Sequence, residues 1–214
     1  MDEVIEGLIK KNLIWLPKQE IGYFPVEKNV YDDEYFDRYV RYENTKIGEC
    51  LNNFRHELVK HYTKGRVLDI GIGCGAFIKK RGADRTFGYD INPKAVHLLE
   101  EMKIFYNPYE EDFERDRLEG IAFFDSLEHI ECPGRILRKI KRQFVFVSIP
   151  IFKDLEHLLS SKHLREDEHF YYFTKRSFIR YMGSFDLKLC DRVLDNEIKC
   201  GREDIYTFVF RKEV

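Results

Sequence analysis

The chain has 214 residues, of which 43% are hydrophobic, 35% charged and 15% aromatic. That length is enough for one domain with a sizeable core and an appendage. Because 36 basic and 38 acidic residues give a formal charge of −2, the composition excludes a global attraction to nucleic acid. The first residues, MDEVIEGLIKKNLIW, lack the features of a signal peptide, and no apolar run approaches the ~20 residues of a membrane span. We expect a cytoplasmic protein with no membrane partner.

The cysteines are odd in number and widely spaced, and no two form a Cys-x-x-Cys pair. This pattern predicts neither a disulfide framework nor a zinc ribbon. We therefore expect reduced thiols, as is usual in the cytosol. The five are Cys50, Cys74, Cys132, Cys190 and Cys200.

The first 62 residues are predicted to form a helical extension. A short amphipathic helix is predicted over about residues 2–12, before a stretch in which two prolines break regular structure. Residues 33–62 have apolar side chains at three- and four-residue steps, a periodicity that predicts two helices. Asp32 or Asp33 is suitably placed to cap the first of them.

From Arg66 onward, short β-rich segments alternate with helical ones, which predicts an α/β domain over residues 63–214. Its sheet is expected to be doubly wound, seven-stranded and mostly parallel. A late helix is predicted from a Thr174 cap to Gly183, and the last two strands follow without a helix between them, which favours an antiparallel last strand. The predicted strands are 66–70, 86–90, 103–106, 120–124, 143–149, 185–192 and 205–211, with earlier helices near 75–82, 93–102 and 133–141.

A glycine-rich loop follows the first of these strands, in the sequence RVLDIGIGCGAFIKK. Gly71, Gly73 and Gly75 permit a tight turn and a close backbone approach to a ligand, and the next helix offers free N–H groups at its start. The spacing is neither the dinucleotide G-x-G-x-x-G nor the phosphate-binding G-x-x-x-x-G-K-[ST] pattern. Asp69 would repel a pyrophosphate, so we expect a ligand that carries a cation.

Two further acids follow the next two predicted strands. Asp90 lies at the position where an acid binds both ribose hydroxyls, because one carboxylate can accept two hydrogen bonds. Asp112 follows the third predicted strand and is placed to accept a hydrogen bond from the exocyclic amine of adenine, with Phe113 beside the ring. Together these residues predict a nucleoside pocket.

Five elements in this order resemble class I S-adenosylmethionine-dependent methyltransferases. They are VLDIGIGCG within residues 66–75, GYDINPKAV (88–96), the Asp112-Phe113 pair, FFDSLEHI (123–130) and FVSIP (146–150). The resemblance covers about residues 65–212. It implies a Rossmann-like fold, an enzyme and S-adenosylmethionine as the cofactor. The LEHI segment resembles the subgroup that acts on small molecules.

The resemblance also implies roles for individual residues. Asp69 and Gly71 would lie near the methionine moiety, and Gly73 on the loop. Asp90 would take the ribose hydroxyls, with Ile91 beside it at the cofactor. The remaining implied cofactor contacts are Asp112 and Phe113 at the adenine and Asp125 and Ser126 at the sulfur end.

The methyl acceptor is not identified by any single motif. The [DN/S]-P-P-[YFW] motif of base amino-methylation is missing after the fourth predicted strand, and Cys132-Pro133 has the opposite order to the Pro-Cys pair of cytosine-C5 enzymes. An acceptor-binding insertion is expected at about 151–173, where His163 and His169 are substrate-binding candidates. His129 and His169 are the candidate general bases, because histidine titrates near neutrality. For His129 a purely structural hydrogen bond is the alternative.

No metal site is expected from the sequence. His157, His163 and His169 recur every six residues, with acids nearby, but that step does not place ligands on one face of a helix or strand. The tyrosine-rich segment 31–46 is expected to form a lid, with a tyrosine such as Tyr35 over the sulfonium. Tyr35 is therefore a further substrate-binding candidate. Arg41 is a candidate partner for the methionine carboxylate.

Three functions stay open at this point. The favoured one is methyl transfer to an oxygen or nitrogen of a small molecule, such as a nucleotide, sugar or metabolite. Methylation of a base or ribose in nucleic acid is the second, supported by the basic segment RILRKIKR (135–142). A non-catalytic subunit that binds S-adenosylmethionine is the third. The sequence gives no indication of an oligomeric state.

Overall fold

One mixed sheet organises the molecule. The computed structural model describes residues 12–27, 31–190 and 193–212. The strands in these ranges are β1 (Ile14–Leu16), β2 (Ile21–Tyr23), β3 (Arg66–Ile70), β4 (Thr86–Tyr89), β5 (Leu118–Phe124), β6 (Phe144–Phe152), β7 (Tyr171–Thr174), β8 (Leu187–Leu189) and β9 (Ile205–Lys212). Their order is β1-β2-β7-β6-β5-β3-β4, and β9 pairs with β6 and β8.

The strands β4, β3, β5, β6 and β7 run parallel to one another, as the alternation of strands and helices predicts. The last strand, β9, is antiparallel to β6, which confirms that prediction. The fold is therefore α/β and Rossmann-like. Six of the seven expected strands are present, and two short N-terminal strands and β7 add three that were not expected.

The helices lie mostly where the sequence periodicity places them. They are α1 (Asp33–Glu43), α2 (Lys46–Tyr62), α3 (Ala76–Arg81), α4 (Pro93–Glu101), α5 (Gly134–Leu137), α6 (Leu155–Ser160), α7 (Lys175–Gly183) and α8 (Asn196–Lys199), with a 3-10 helix at Leu127–His129. The Asp32 side chain accepts a hydrogen bond from Tyr35 N, and Thr174 from Ser177 N, so both predicted caps are confirmed. In the described ranges, the helices are too short or too polar to cross a membrane.

The two faces of the central strands are both buried. Along β5, Ile121 and Phe123 face a core that includes Phe178 of α7, while Ala122 and Phe124 face Val59 of α2. Burial on both sides explains why these strands are continuous apolar runs rather than alternating ones. The carboxyl ends of the parallel strands are thereby held rigidly in one place.

The predicted third strand, 103–106, is wrong as an extended element. Only one bridge remains, between Gly88 and Phe105. Lys103 has a φ of +57°, in the left-handed region that ends a helix rather than begins a strand. The turn after α4 therefore contains residues that were predicted to form the strand.

The hairpin formed by β1 and β2 was not predicted, because its strands are short and flank prolines and a glycine. Within the hairpin's register with β7, Ile21 lies opposite Phe173 and Tyr23 opposite Tyr171. Residues before α1 thus join the sheet, and the N-terminal part is not helical alone. The predicted helix over 2–12 lies almost wholly outside the described residues. The division at residue 62, with an acceptor insertion at 151–173, stays a prediction.

A disulfide joins Cys50 and Cys200, whose Cα atoms are 6.1 Å apart. The expectation of reduced thiols is therefore wrong for this pair. The two cysteines are 150 residues apart in sequence, and they meet only because α2 packs against α8. The spacing of the cysteines in the sequence does not indicate such a contact.

Candidate active site

A cavity of two adjoining chambers opens at the carboxyl ends of β3, β4 and β5, where open α/β sheets bind ligands. The outer chamber has a volume of about 410 Å³ and reaches Asp90 after β4. The inner chamber has a volume of about 100 Å³ and reaches Asp69 at the end of β3. The residues that border both are Tyr39, Gly71, Gly73, Phe124, Asp125 and His129.

The glycine loop forms the floor between the chambers. Gly71 and Gly73 have φ values of +82° and +56°, which L side chains rarely adopt. A Cβ atom added to Gly71 would lie 2.4 Å from the Cβ of Ser126. Ser126 is itself fixed, because its Oγ donates a hydrogen bond to the carbonyl of Ile70. The loop therefore has no room for a side chain at its first glycine.

We expect Gly71→Ala to destabilise the protein by about 1–3 kcal/mol, because the new methyl group meets both a positive φ and a fixed neighbour. The free energy of unfolding, measured with urea, tests this. Gly183→Ala is the matched control, since nothing lies within 4 Å of a Cβ placed there. Equal stability of the two variants would contradict the expectation.

Asp90 ends β4 and lies at the outer chamber. One carboxylate oxygen accepts hydrogen bonds from the backbone N–H groups of Ile91 and Asn92, at 2.8 and 2.9 Å, and the other accepts from Gly73 N at 3.2 Å. The oxygen that accepts from Gly73 keeps capacity for a further donor. Ile91 is 56% exposed although apolar, and it lines the same chamber. The pair presents an anchored acceptor beside an apolar surface.

Asp69 is buried at the inner chamber, with 2% of its surface exposed. Its Oδ1 atom has no hydrogen-bond partner. Burial raises the pKa of this carboxyl to about 8, against the opposing charge of Arg55. An unpaired buried carboxyl group is costly, so its position fits a cationic ligand group.

Asp125 is held by a buried network of four charges. Its Oδ2 accepts from Arg55 at 2.6 Å and from Arg202 at 2.7 Å. Both guanidinium groups also donate to Glu197, whose side chain is fully buried. Burial alone would raise the pKa of Asp125, but the two guanidinium groups hold it well below its usual range. The network fixes an ionised Asp125 between the two chambers.

Two histidines and a glutamate meet at the inner chamber. The rings of His129 and His169 are 4.5 Å apart, centroid to centroid, in an edge-to-face arrangement. Burial lowers the pKa of His129 to about 4 and that of His169 well below its usual range. Burial raises the pKa of Glu128 to about 8. Both imidazoles are therefore neutral near pH 7 and present lone pairs.

Tyrosines of α1 and of the residues just before it cover the outer chamber. Tyr31, Tyr35 and Tyr39 all line it, and the hydroxyls of Tyr35 and Tyr39 are 3.1 Å apart. Asn92 donates to the carbonyl of Tyr31 at 3.2 Å, which ties the start of the helix to the end of β4. Arg41, the predicted carboxylate partner, is exposed and does not line either chamber, because it lies on the outer face of the helix.

Asp112 and Phe113 do not lie at the cavity, contrary to the prediction for adenine. Asp112 is exposed and accepts from the backbone N–H groups of Glu114 and Arg115, so it caps a local turn. Phe113 is buried in the core beneath it. Tyr109, four residues before Phe113, lines the outer chamber instead.

His163 lines the inner chamber, but its Nε2 is 2.9 Å from the carbonyl of Glu203, so that nitrogen is already used. His157, of the six-residue series, pairs with Asp204 instead, at 3.3 Å. The series does not assemble around one point. His169 is the one member that meets His129.

Sequence reasoning missed the residues that carry the most charge at the site. Arg55, Glu197 and Arg202 were not singled out, because each lies far along the chain from Asp125. Glu128 lies in the LEHI segment, but no role was predicted for its side chain. A charged residue that becomes buried cannot be recognised from the sequence until its partners are known.

The geometry defines an α/β protein with a ligand-sized cavity at the carboxyl ends of its parallel strands. A family profile described as "Methyltransferase domain" matches residues 37–191. The chain belongs to this methyltransferase family and is an enzyme, and S-adenosylmethionine is its cofactor. No curated protein matches the sequence.

Solved structures with the same fold include three methyltransferases. A possible histamine N-methyltransferase from Thermotoga maritima has 11% identity and a TM-score of 0.60, over 84% of this chain and 97% of that one. Magnesium protoporphyrin IX methyltransferase from Synechocystis, with bound S-adenosylhomocysteine, has 13% identity and a TM-score of 0.60, over 86% and 96%. A 1,6-didemethyltoxoflavin-N1-methyltransferase from Burkholderia thailandensis, with bound S-adenosylhomocysteine and 1,6-didemethyltoxoflavin, has 16% identity and a TM-score of 0.55, over 95% and 100%. At these identities the similarity shows the fold.

Proposed function

We propose that the chain binds S-adenosylmethionine across the two chambers and methylates an oxygen or nitrogen of a small molecule. Asp90 accepts from a ribose hydroxyl, and Ile91 and Tyr109 flank the adenine. Asp69 pairs with the ammonium group of the methionine moiety. The backbone of Gly71 and Gly73 lies close to the chain that links the two, since neither residue has a Cβ. When bound, the cofactor supplies a methyl carbon activated by its sulfonium.

The residues between the chambers orient the reacting groups. Asp125 is fixed by two guanidinium groups, so its charge does not move when a ligand binds. Tyr35 and Tyr39 line the chamber on the lid side, and aromatic rings favour a neighbouring cation. These features position the sulfonium of the cofactor. They do not select a particular methyl acceptor.

The inner chamber carries the argument for a small acceptor. Its volume of about 100 Å³ suits one functional group and its nearest atoms rather than a strand of nucleic acid. Its wall includes His129 and His169, whose neutral imidazoles can accept a hydrogen bond from a hydroxyl or amine. The acceptor group therefore enters beside these histidines and faces the methyl carbon.

The basic segment 135–142 gives little support to a nucleic-acid acceptor. Lys139 donates to the carbonyls of Pro108 and Glu111, at 2.6 and 2.7 Å, and Arg142 pairs with Glu114 at 3.1 Å. Two of the five basic side chains of the segment are thus used within the chain. The structural neighbours, named for histamine, a porphyrin and a toxoflavin precursor, act on small molecules, which accords with this proposal.

A labelled-methyl screen tests the acceptor class. We expect S-adenosylmethionine to label a pool of hydroxyl- and amine-bearing small molecules and not DNA or RNA. His169→Ala is expected to lower that transfer by about 100-fold, the usual contribution of a group that handles the acceptor proton. Its affinity for S-adenosylhomocysteine should stay unchanged, because the proposed cofactor contacts at Asp69 and Asp90 do not involve His169.

His97→Ala is the matched control for this screen, since His97 is 72% exposed on α4. Transfer at the wild-type rate by His169→Ala would contradict the placement of the acceptor. Labelling of nucleic acid alone, with binding that falls steeply as salt rises, would replace the small-molecule proposal.

A further inference from the structure

We propose that Glu128, His129 and His169 form a binding site for a divalent first-row transition metal ion in the wall of the inner chamber. The sequence predicts no metal here. Of the three histidines that recur every six residues, only His169 belongs to this site. Glu128 and His129 lie in the 3-10 helix after β5, and His169 lies just before β7. The fold brings these segments together, because Phe170 N donates to the carbonyl of Glu128 at 2.8 Å.

The three side chains each offer one ligand atom, and these atoms lie within 4.8 Å of one another. Two atoms bound at about 2.1 Å to the same tetrahedral ion lie about 3.4 Å apart. Side-chain rotations that bring the ligand atoms closer by up to about 1.4 Å therefore close the site around an ion. Two imidazoles and one carboxylate leave further coordination positions open.

Two of the ligand-bearing side chains have a buried atom with no hydrogen-bond partner. These atoms are Oε2 of Glu128 and Nδ1 of His169, and the residues are 2% and 3% exposed. A buried polar atom without a partner costs free energy, and most such atoms in proteins are satisfied. A cation that both atoms can bind removes that cost.

His129 already has the kind of support that a metal ligand needs. Its Nδ1 is 2.9 Å from the hydroxyl of Tyr31. When Nδ1 donates to that oxygen, the lone pair of Nε2 is oriented for a ligand. Metal-binding histidines usually donate their second ring nitrogen to such a partner.

The cationic side chains around Glu128 do not balance the charge of its carboxylate. Arg165 pairs with Glu168 at 2.9 Å, and Arg202 pairs with Asp125 and Glu197. The nearest guanidinium groups are thus neutralised by other carboxylates. The charge of an ionised Glu128 is left for a metal ion. Mixed nitrogen and oxygen ligands favour a transition ion over calcium or magnesium, which prefer oxygen.

A role for this ion in methyl transfer rests on the proposed function. An acceptor oxygen bound at an open position would lose its proton more readily, because the cation acts as a Lewis acid. The proton leaves to solvent, the oxygen forms a bond to the methyl carbon, and the carbon–sulfur bond breaks. His129 and His169 then act as ligands rather than as general bases.

Cobalt binding to the full chain tests the site without a methyl donor or acceptor. We expect chelator-treated wild-type protein to bind one Co²⁺ per chain, with visible absorption bands and a calorimetric isotherm. His169→Ala should lower the affinity by about 100-fold or more, and Tyr31→Phe by about 10-fold, since second-sphere changes alone cost 10- to 100-fold. His97→Ala, on the exposed face of α4, should leave it unchanged.

The wild-type protein keeps the proposal falsifiable if a variant fails to fold. Crystals soaked in Co²⁺ should show an anomalous peak between Glu128, His129 and His169. No Co²⁺ binding by the wild-type chain, or peaks only elsewhere, would overturn the proposal. So would Co²⁺ affinity that is equal in wild type and His169→Ala. Because metal binding is measured alone, its failure and a failure of methyl transfer are separate results.

Discussion

Asp69→Asn should weaken the binding of S-adenosylmethionine by about 10- to 100-fold, because a hydrogen bond to a charged group contributes about 1.5–3 kcal/mol. The side chain keeps its shape but loses the charge that pairs with the ammonium group. Isothermal calorimetry at pH 7 measures the change. Asp84→Asn, at a carboxylate that is 73% exposed and far from the cavity, is the control.

The same carboxyl gives binding a pH dependence with a definite sign. Its pKa is about 8 in the protein without cofactor, so it is mostly protonated at pH 7. Pairing with an ammonium requires the ionised form, and binding therefore releases a proton. Affinity should rise with pH from about 5 to 8, and calorimetry in buffers of different ionisation enthalpy should find about one proton released. Asp69→Asn should abolish this release, and its persistence would contradict the assignment.

Stability without cofactor should move in the opposite direction over the same range. The folded pKa of Asp69 lies above the unfolded value of 3.8, so between about pH 4 and pH 8 the folded state binds more protons. The contribution of this group to the free energy of unfolding therefore falls as pH rises. A binding residue that costs stability when its ligand is absent is expected at a functional site.

Glu197→Ala should destabilise the fold by about 3–5 kcal/mol, because it leaves two buried guanidinium groups with one carboxylate. Glu197 is fully buried and accepts from both Arg55 and Arg202. The loss corresponds to a fall in the melting temperature of about 10 °C for a domain of this size. Thermal and urea unfolding measure it.

The control for this prediction is Glu57→Ala. The carboxylate of Glu57 is 66% exposed and forms an ion pair with Lys60. Exposed pairs contribute little, so this change should stay within about 0.5 kcal/mol. A loss from Glu197→Ala no larger than that of the control would show that the buried network does not stabilise the fold.

The fold and the first half of the site could be predicted because they depend on local sequence. Two-sided burial makes β3, β5 and β6 visible as apolar runs, and the glycine loop and Asp90 follow strands at fixed offsets. The hairpin before α1 could not be predicted, because three-residue strands gain their stability from pairing with β7. Asp112 was misplaced because a turn-capping aspartate and a ligand-binding one have the same local pattern.

The second half of the site depends on contacts between distant segments. Arg55 and Asp125 are 70 residues apart, and Arg55 and Glu197 are 142 apart. His169 meets His129 only through the pairing of β7 with β6. Side chains assembled by tertiary structure leave no periodicity or spacing in the sequence, so their chemistry emerges only from the folded chain.

Calorimetric titration with S-adenosylmethionine and S-adenosylhomocysteine, on the wild-type chain and on Asp90→Ala, tests the central claim most directly. We predict one site per chain for both ligands in the wild type. Asp90→Ala should lose about 100-fold in affinity, because a hydrogen bond to a charged carboxylate disappears, while Asp84→Ala keeps the wild-type value. Absence of binding to the wild-type chain, or equal affinity in Asp90→Ala, would contradict the account.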